Sequence, residues 1–450
     1  MAATGASNVL IPSVDLLAYV IFLVLAIGLL SLLVSRRFNV SYVPLFILLG
    51  IFVGPVLGIL NRTLAHELFS YIRVFGLVMI LFTEGHTLSW KMLKKNSGTI
   101  LTLDTIGLLL TALIIAFVFS RVFGVPFIVG FLFGSIVAAT DPATLIPLFR
   151  QYRVREDIET IIVTESIFND PLGIVLTSVA IALLTPEASS ARFLESLAHY
   201  VGLYPAALLF FAYQMGVSVL IGVSLGVIGY HLLKHAEIEG FPEVVIFSLT
   251  LAFGGFLLGE LAQASGYLVA TLTGIVLGNH KVFFRDEPEV VRRVMRAIER
   301  EVHFNESLAT MATIFIFTLL GASLDPELIT SHLAPGVAVA LALIFLARPL
   351  AALPILRWHS IREYLFISLE GPRGVVPAAL ASLPLTLGLT YGNGQLAQWG
   401  EVILSTTIIT VLVTVIIETL WVPLLRERLI EASSIEKELR RSRKKRKGAR

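Results

Sequence analysis

The sequence predicts an all-α protein that crosses a membrane many times. Of its 450 residues, 56% are hydrophobic and only 15% are charged. The apolar residues fall in repeated blocks of roughly 20, the length of helix that crosses a hydrocarbon core. Basic residues gather at alternate ends of these blocks, as they do in membrane proteins of fixed orientation. No polar or low-complexity stretch separates the blocks, so we expect no soluble domain.

Comparing the blocks with their charged flanks predicts about 13 membrane-spanning helices. The first block lacks a basic n-region and is of full membrane length, so we expect it to be retained rather than cleaved as a signal peptide. We expect residues 1–424 to form one transmembrane domain and residues 425–450 a basic tail. The predicted spans cover approximately residues 14–34, 42–60, 70–90, 99–119, 126–148, 157–184, 205–233, 242–260, 265–280, 306–324, 335–356, 362–385 and 400–423.

The distribution of lysine and arginine predicts the orientation. Basic residues follow the odd-numbered spans, for example Arg36 and Arg37 after the first and Lys94 and Lys95 after the third. The positive-inside rule therefore places the N-terminus outside and the C-terminus in the cytoplasm, across a cytoplasmic membrane. We expect the tail ELRRSRKKRKGAR to anchor this topology, with binding of anionic membrane lipid or of a partner as the alternative.

An internal symmetry appears when the seventh span is treated as a linker. The two remaining sets of six spans then have opposite orientations, the layout of inverted-repeat transporters. The fifth span of each set is broken, in SIVAATDPATLIPLF and in EGPRGVVPAAL. Broken helices in matching positions favour a substrate site near the membrane midplane where they cross, although each could also be an ordinary kink. The helix-breaking positions are Asp141-Pro142 in the first segment and Gly371, Pro372, Gly374 and Pro377 in the second.

Small residues indicate where helices pack closely. Gly50, Gly54 and Gly58 form overlapping GxxxG patterns in the second predicted span, and Gly274 with Gly278 forms another in the ninth. Glycine at this spacing lets two membrane helices approach along their backbones.

The segment TESIFNDPLGIVL, residues 164–176, is unusually polar for a membrane span. On a helix, Glu165 and Asn169 lie four residues apart, as do Ser166 and Asp170, so these side chains share one face. Such a face must point into the protein, because an ionisable group in lipid costs at least ~2.5–3.5 kcal/mol. Oxygen groups suit a hard cation such as sodium, and a desolvated Asp170 could hold either a proton or that ion. The alternative is that Glu165 and Asp170 are structural groups paired with arginine.

Four motifs together resemble those of a known family. TESIFNDPLG, AATDPATLIPLF, LFTEGHTLSW and EGPRGVVPAALA are similar, in order and spacing, to motifs of the monovalent cation:proton antiporter-1 family, in particular the prokaryotic NhaP-type sodium/proton antiporters. The resemblance implies a homodimer. It further implies a core of helices at about 99–184 and 335–423, and dimerisation helices at about 14–90 and 205–324.

The resemblance also implies roles for individual residues. Asp170 matches the aspartate that binds the ion and the proton. Ser166, the Thr140 carbonyl, Asp141 and Glu165 match direct or water-mediated ligands, with Na⁺ held at Asp170, Ser166 and Thr140.

Asn169 matches the asparagine that marks the electroneutral branch of the family. With a neutral amide at this position, Asp170 alone titrates in the pair, so exchange of one proton for one sodium ion is expected.

The resemblance suggests, in addition, buried ion bridges that involve Glu84, Arg348 and Arg373. We expect Glu84 to pair with Arg373 and Arg348 to lie near Glu165, because arginine stays charged and can neutralise a carboxylate without joining the transport cycle. Pro171 departs from the pattern of many relatives, which carry a small residue after the aspartate.

The expected function is exchange of Na⁺ (or Li⁺) for H⁺, with K⁺/H⁺ exchange by the same fold as the alternative. A cation channel is a remote alternative, because broken helices around one titrating aspartate fit occlusion better than an open pore. An intramembrane aspartyl protease is equally remote, because the sequence has no GxGD-type signature and a protease gives no reason for inverted halves. We expect no enzymatic activity, no cofactor and no nucleic-acid partner. The absence of cysteine from the sequence excludes disulfides and thiolate metal sites.

Overall fold

The computed structural model describes residues 13–38, 40–141, 146–185, 189–235, 240–284 and 288–431, and these residues form helices and connections without a strand. The α-helices are α1 (Ser13–Phe38), α2 (Val43–Ile51), α3 (Arg62–Thr87), α4 (Trp90–Thr102), α5 (Leu108–Phe123), α6 (Phe127–Ala138), α7 (Ile146–Gln151), α8 (Glu156–Leu184), α9 (Ser189–Val201), α10 (Leu203–His235), α11 (Phe241–Leu261), α12 (Gly266–Gly278), α13 (His280–Phe283), α14 (Pro288–Ala322), α15 (Pro326–Ala342), α16 (Arg348–Ala352), α17 (Ile361–Leu369), α18 (Val375–Leu380), α19 (Leu383–Thr390) and α20 (Gly394–Leu425).

The membrane-spanning elements match the prediction. Within the described residues, nine helices are long and apolar enough to cross a membrane, and shorter apolar helices make up the remaining four predicted spans. The shorter ones are Val43–Val56, Phe127–Ala138, Gly266–Gly278 and Val375–Thr390. The sequence did not predict α9, whose apolar side packs on α8 and α10 through Leu194 and Phe210.

Two long helices of the two halves share the same distortion. One π-helical turn, Leu103–Gly107, joins α4 to α5, and another, Leu343–Ala347, joins α15 to α16. The two distorted helices pack against each other, since α5 contacts α15 and α16. A π-turn rotates the side chains that follow it relative to a regular helix, and such turns often occur at functional sites. The two distorted helices are the fourth span of each set, so their matching positions agree with the predicted inverted repeat of spans one to six and eight to thirteen.

The two broken helices meet at their interruptions. In the first, α6 ends at Ala138 and Ala139 is extended; in the second, residues 370–374 separate α17 from α18. The backbone N–H of Asp141 donates to the carbonyl of Pro372 at 2.8 Å. The predicted crossing of the two breaks is therefore present, while Pro142, the proline of the first break, lies outside the described residues.

Glycine contacts confirm close packing at two of the predicted interfaces. A Cβ atom at Gly50 would overlap the carbonyl oxygen of Thr318 in α14. One at Gly274 would overlap the carbonyl oxygen of Phe82 in α3. No larger residue fits at either position without separating the helices. Gly58 differs, since it lies beyond the helix with φ +64° and an added Cβ there would have no neighbour within 4 Å.

Candidate ion-binding site

The centre of α8 carries the polar face that the sequence predicts. Glu165, Ser166, Asn169 and Asp170 are all buried, and Asp170 is only 3% exposed. The Oδ1 atom of Asp170 is buried without a hydrogen-bond partner. Pro171 continues the helix, but it lacks the N–H that would bond to the carbonyl of residue 167. A buried carboxylate oxygen without a donor is an energetically costly arrangement that a proton or a cation would relieve.

The extended backbone at Thr140 lies against this face. The Ser166 hydroxyl donates to the Thr140 carbonyl at 2.6 Å. Asn169 uses both ends of its amide, because its Oδ1 accepts from the Thr140 N–H at 3.1 Å and its Nδ2 donates to the Thr140 hydroxyl at 2.7 Å. A neutral amide is the side chain that can both donate and accept in this geometry, whereas a carboxylate can only accept. Asn169 thus fixes the first break beside Asp170.

Asp141 joins the two broken helices. Its N–H is bonded to Pro372, and its Oδ2 accepts from the Val375 N–H at the start of α18, at 3.3 Å. The approach is so close that a Cβ atom at Gly374 would overlap the same oxygen. Asp141 therefore links the two broken helices through both its backbone and its side chain.

Glu165 and Arg348 form a buried ion pair. From the sequence, we expect Arg348 to lie near Glu165. Arg348 Nη1 lies 2.5 Å from Glu165 Oε1, and Nη2 donates to Oε2 at 2.9 Å. Their side chains are 1% and 6% exposed for Glu165 and Arg348, respectively. Arg348 directly follows the π-helical turn Leu343–Ala347, which sets the direction of its side chain. One hydrogen bond and a second close contact between charged atoms hold this pair together.

The prediction that Glu84 pairs with Arg373 is wrong. Among the described residues, no ion pair joins these two side chains. The Arg373 side chain turns back onto its own segment, where Nη1 donates to the Gly371 carbonyl at 2.7 Å. Its backbone N–H donates to the Thr414 hydroxyl in α20 at 3.1 Å. Arg373 still lies within electrostatic reach of Asp170, whereas Glu84 interacts with Asp141 and Asp170.

Three further buried carboxyl groups surround the crossing, and sequence reasoning gave them no role in the site. Both carboxylate oxygens of Asp104, in the first π-turn, are buried without a hydrogen-bond partner. Glu418 in α20 accepts from the Gly371 N–H at 2.8 Å, and Glu370 lies next to it. A single acidic residue inside an apolar block, such as Asp104 in LTLDTIGLLL, is the signal that could have found them.

Acidic groups outnumber basic ones in this buried cluster. Among the described residues, its cations are Arg348 and Arg373. Such an excess of carboxyl groups attracts protons or metal cations and repels anions. The carboxyl groups are Glu84, Asp104, Asp141, Glu165, Asp170, Glu370 and Glu418.

Two interrupted helices that cross beside an acidic, buried oxygen cluster define a secondary transporter of cations. The chain belongs to the sodium/hydrogen exchanger family: the family model described as "Sodium/hydrogen exchanger, transmembrane" matches residues 21–427. The chain is accordingly a multi-pass membrane protein of a family of transporters rather than enzymes.

Individual relatives cover nearly the whole chain. Na(+)/H(+) antiporter 1 of Methanocaldococcus jannaschii is 34% identical over an alignment of 429 residues that covers 91% of this chain and 94% of the relative. Probable Na(+)/H(+) antiporter 2 of the same organism is 30% identical, covering 89% of this chain and 96% of the relative. The solved structure of the sodium proton antiporter MjNhaP1 from that organism at pH 8 matches with a TM-score of 0.80 and 33% identity, over 92% of this chain and 99% of that one.

The name of a more distant relative specifies a different cation. The K(+)/H(+) antiporter NhaP of Alkalimonas amylolytica is 26% identical over 382 residues, which are 84% of this chain and 62% of the relative.

Proposed function

We propose that this protein exchanges Na⁺ for H⁺ across the membrane at one site centred on Asp170. The observation that carries the proposal is the buried Oδ1 of Asp170, which lacks a partner beside the crossing of two broken helices. The two relatives at 34% and 30% identity are named as Na⁺/H⁺ antiporters, which supports sodium as the exchanged cation.

The oxygens around Asp170 are suitable sodium ligands. The Asp170 carboxylate, the Ser166 hydroxyl and the Thr140 carbonyl would hold the ion, with Glu165 and Asp141 contributing directly or through water. In the present structure the Ser166 hydroxyl donates to the Thr140 carbonyl. A cation that binds both oxygens requires the hydroxyl hydrogen to rotate away, so binding exchanges one hydrogen bond for two ion contacts. Protonation of Asp170 removes the charged ligand, and the proton and the ion therefore compete.

The stoichiometry follows from the groups that titrate. Asn169 is neutral and its amide is engaged at both ends with Thr140, so it carries no proton through the cycle. Arg348 and Arg373 stay charged in both half-cycles. One Na⁺ in one direction and one H⁺ in the other is then the natural exchange, and it moves no net charge.

Other monovalent cations are distinguished by ligand spacing rather than by ligand type. Li⁺ would use the same oxygens as Na⁺. K⁺/H⁺ exchange is the second candidate, and the observation in its favour is the K⁺/H⁺ antiporter among the more distant relatives.

The helices divide into two structural parts in this proposal. The core comprises residues of about 99–184 and 335–423 and carries the site. The helices at about 14–90 and 205–324 form the dimerisation part of a homodimer in the membrane lipid. The basic residues at the start of α4 support an orientation with the N-terminus outside and the C-terminus cytoplasmic. Residues 432–450, which hold most of the basic tail, lie outside the described residues.

Replacement of Asp170 by Asn tests the proposal. The change preserves shape but removes the only group at which ion and proton compete, so sodium/proton exchange in proteoliposomes should fall at least about 100-fold, a loss of ~3 kcal/mol or more of stabilisation. Asp325→Asn is the matched control, because Asp325 caps α15 at the surface and its amide substitute can still cap. Near-normal exchange by the folded Asp170→Asn protein would show that the site lies elsewhere.

A further inference from the structure

A cavity of about 220 Å³ lies between the core and the dimerisation part. Its core wall comes from α8, α18 and α19, with Ile174, Thr177 and Leu380 among the lining residues. The opposite wall comes from α3, α10 and the connection between α11 and α12, and includes Arg73 and Gln214. The proposed function assigns no role to this cavity.

The cavity extends the face of α8 that carries Asp170. Ile174, Thr177 and Ile181 follow Asp170 by four, seven and eleven residues, so all four side chains lie along one stripe of the helix. Ile174 is one turn from Asp170, a rise of about 6 Å, so the inner end of the cavity lies one helical turn from the site. In the proposed orientation the other end of the cavity faces the outer side, where Gln263, Ala264 and Ser265 line it.

The deep part of the cavity wall carries a positive charge. Arg73 lies 11 residues inside α3, about 17 Å along the helix from its outer end. Its Nη1 atom is buried without a hydrogen-bond partner, and the ion pairs of the described residues include none for Arg73. The other charged group of the wall, Glu260, lies at the outer end of α11 and accepts from the Gly266 N–H at 3.1 Å. A guanidinium that keeps its charge on a route for cations must lower the local cation concentration.

We propose that this cavity is the outer half of the ion route and that Arg73 weakens the apparent affinity for sodium from the outer side. This inference rests on the proposed function of the Asp170 site. Exchange would then saturate at a lower sodium concentration from the cytoplasm than from outside. Arg73 leaves the overall equilibrium unchanged, because the equilibrium is set by the two ion gradients alone. It instead makes the sodium concentration at half-saturation differ between the two faces.

Cysteine labelling tests the route and its charge without measuring transport. The chain has no cysteine, so single-cysteine variants need no altered background. Ser178→Cys places a thiol in the cavity wall, and Thr390→Cys places one on the exposed end of α19 as a control. Positively and negatively charged methanethiosulfonates are added to the outer face. We expect both thiols to react and the Ser178→Cys thiol to favour the negative reagent several-fold relative to the control. No reaction at that thiol, or a preference for the positive reagent, would overturn the proposal.

Transport kinetics test the consequence for sodium. Arg73→Gln should lower the apparent KM for sodium at the outer face by about three- to tenfold and leave the cytoplasmic KM unchanged. Arg73→Lys should retain the parent value, and so should Arg62→Gln, since Arg62 lies at the outer end of the same helix and pairs with Asp325. Equal shifts at both faces, or none, would contradict the role of Arg73. If the parent protein shows no exchange, the proposed function fails, whereas the labelling result still decides whether the cavity is an outer, positively charged route.

Discussion

The Glu165–Arg348 contact is a buried ion pair in which each partner compensates the other's desolvation. Replacing Arg348 by Met should leave Glu165 as a buried charge with a lost partner. Removal of one partner from such a pair typically costs ~3–5 kcal/mol. We therefore expect a clear decrease in the thermal unfolding temperature of the purified protein in detergent.

The double variant Glu165→Gln with Arg348→Met provides the control for this residue-scale prediction. It removes both charges together, so it should recover much of the stability lost in the single variant. A single variant as heat-stable as the parent would contradict the importance of the pair.

At the scale of secondary-structure elements, the crossing of the broken helices depends on the absence of a side chain at position 374. In a Gly374→Ala variant the new Cβ would overlap the Asp141 carboxylate, which now accepts from Val375. Overpacking of this kind typically costs ~1–3 kcal/mol, and here the displacement would separate the two breaks. We expect both lower thermal stability and a loss of exchange in proteoliposomes.

Gly254→Ala is the matched control for this substitution. Gly254 lies in α11 with no atom within 4 Å of an added Cβ, so alanine there should be neutral or stabilising by up to about 1 kcal/mol. Comparable losses in the two variants would show that any added methyl group is damaging, and that the crossing has no special sensitivity.

At the scale of the whole molecule, competition at Asp170 links the ion affinity to pH. Protonation removes the sodium ligand, so the apparent KM for sodium should rise as pH falls, approaching about tenfold per pH unit on the acid side of the Asp170 titration. At high pH on both faces the rate should also fall, because few protons remain for the return step. Initial exchange rates across a pH series should therefore follow a bell-shaped profile. A sodium KM that does not vary with pH would rule out a single shared site.

Membrane potential tests the charge balance of the complete cycle. One sodium ion against one proton moves no net charge, so the exchange rate should be insensitive to an imposed potential, although an uncompensated charge would experience ~2.3 kcal/mol per 100 mV. Asn169→Asp adds a second titrating group and removes the amide donor to Thr140. Voltage dependence should appear in that variant if it remains active. Voltage dependence of the parent would contradict one-for-one exchange.

Local chemistry explains which parts of the fold could be predicted from the sequence. Apolar block length gave the membrane spans, and proline and glycine marked both breaks, because each of these signals acts over a few neighbouring residues. The short helix α9 was missed because it is amphipathic rather than continuously apolar. The π-turns before α5 and α16 have no comparably strong sequence signal.

The partners of buried charges depend on tertiary structure and were harder to predict. Glu165 and Asn169 are four residues apart, and so are Ser166 and Asp170. This spacing correctly predicted that the four side chains share one face, since helix geometry alone determines that face. The partner of Arg373 is the carbonyl of Gly371, two residues away, in a conformation that exists only because the helix is interrupted. No spacing rule for regular helices predicts such a contact.

The unpartnered Oδ1 atom of Asp170 also affects how tightly the movements of the two ions are coupled. In the proposed cycle, a protein that changed conformation with neither Na⁺ nor H⁺ bound would have to move an uncompensated carboxylate through a low-dielectric region. The effective penalty for a buried, unpaired ion is several kcal/mol, and about 1.4 kcal/mol already slows a step tenfold. Empty transitions would thus be rarer than loaded ones by several orders of magnitude. The same unsatisfied oxygen that receives the cation would keep one ion gradient from dissipating without work being done on the other.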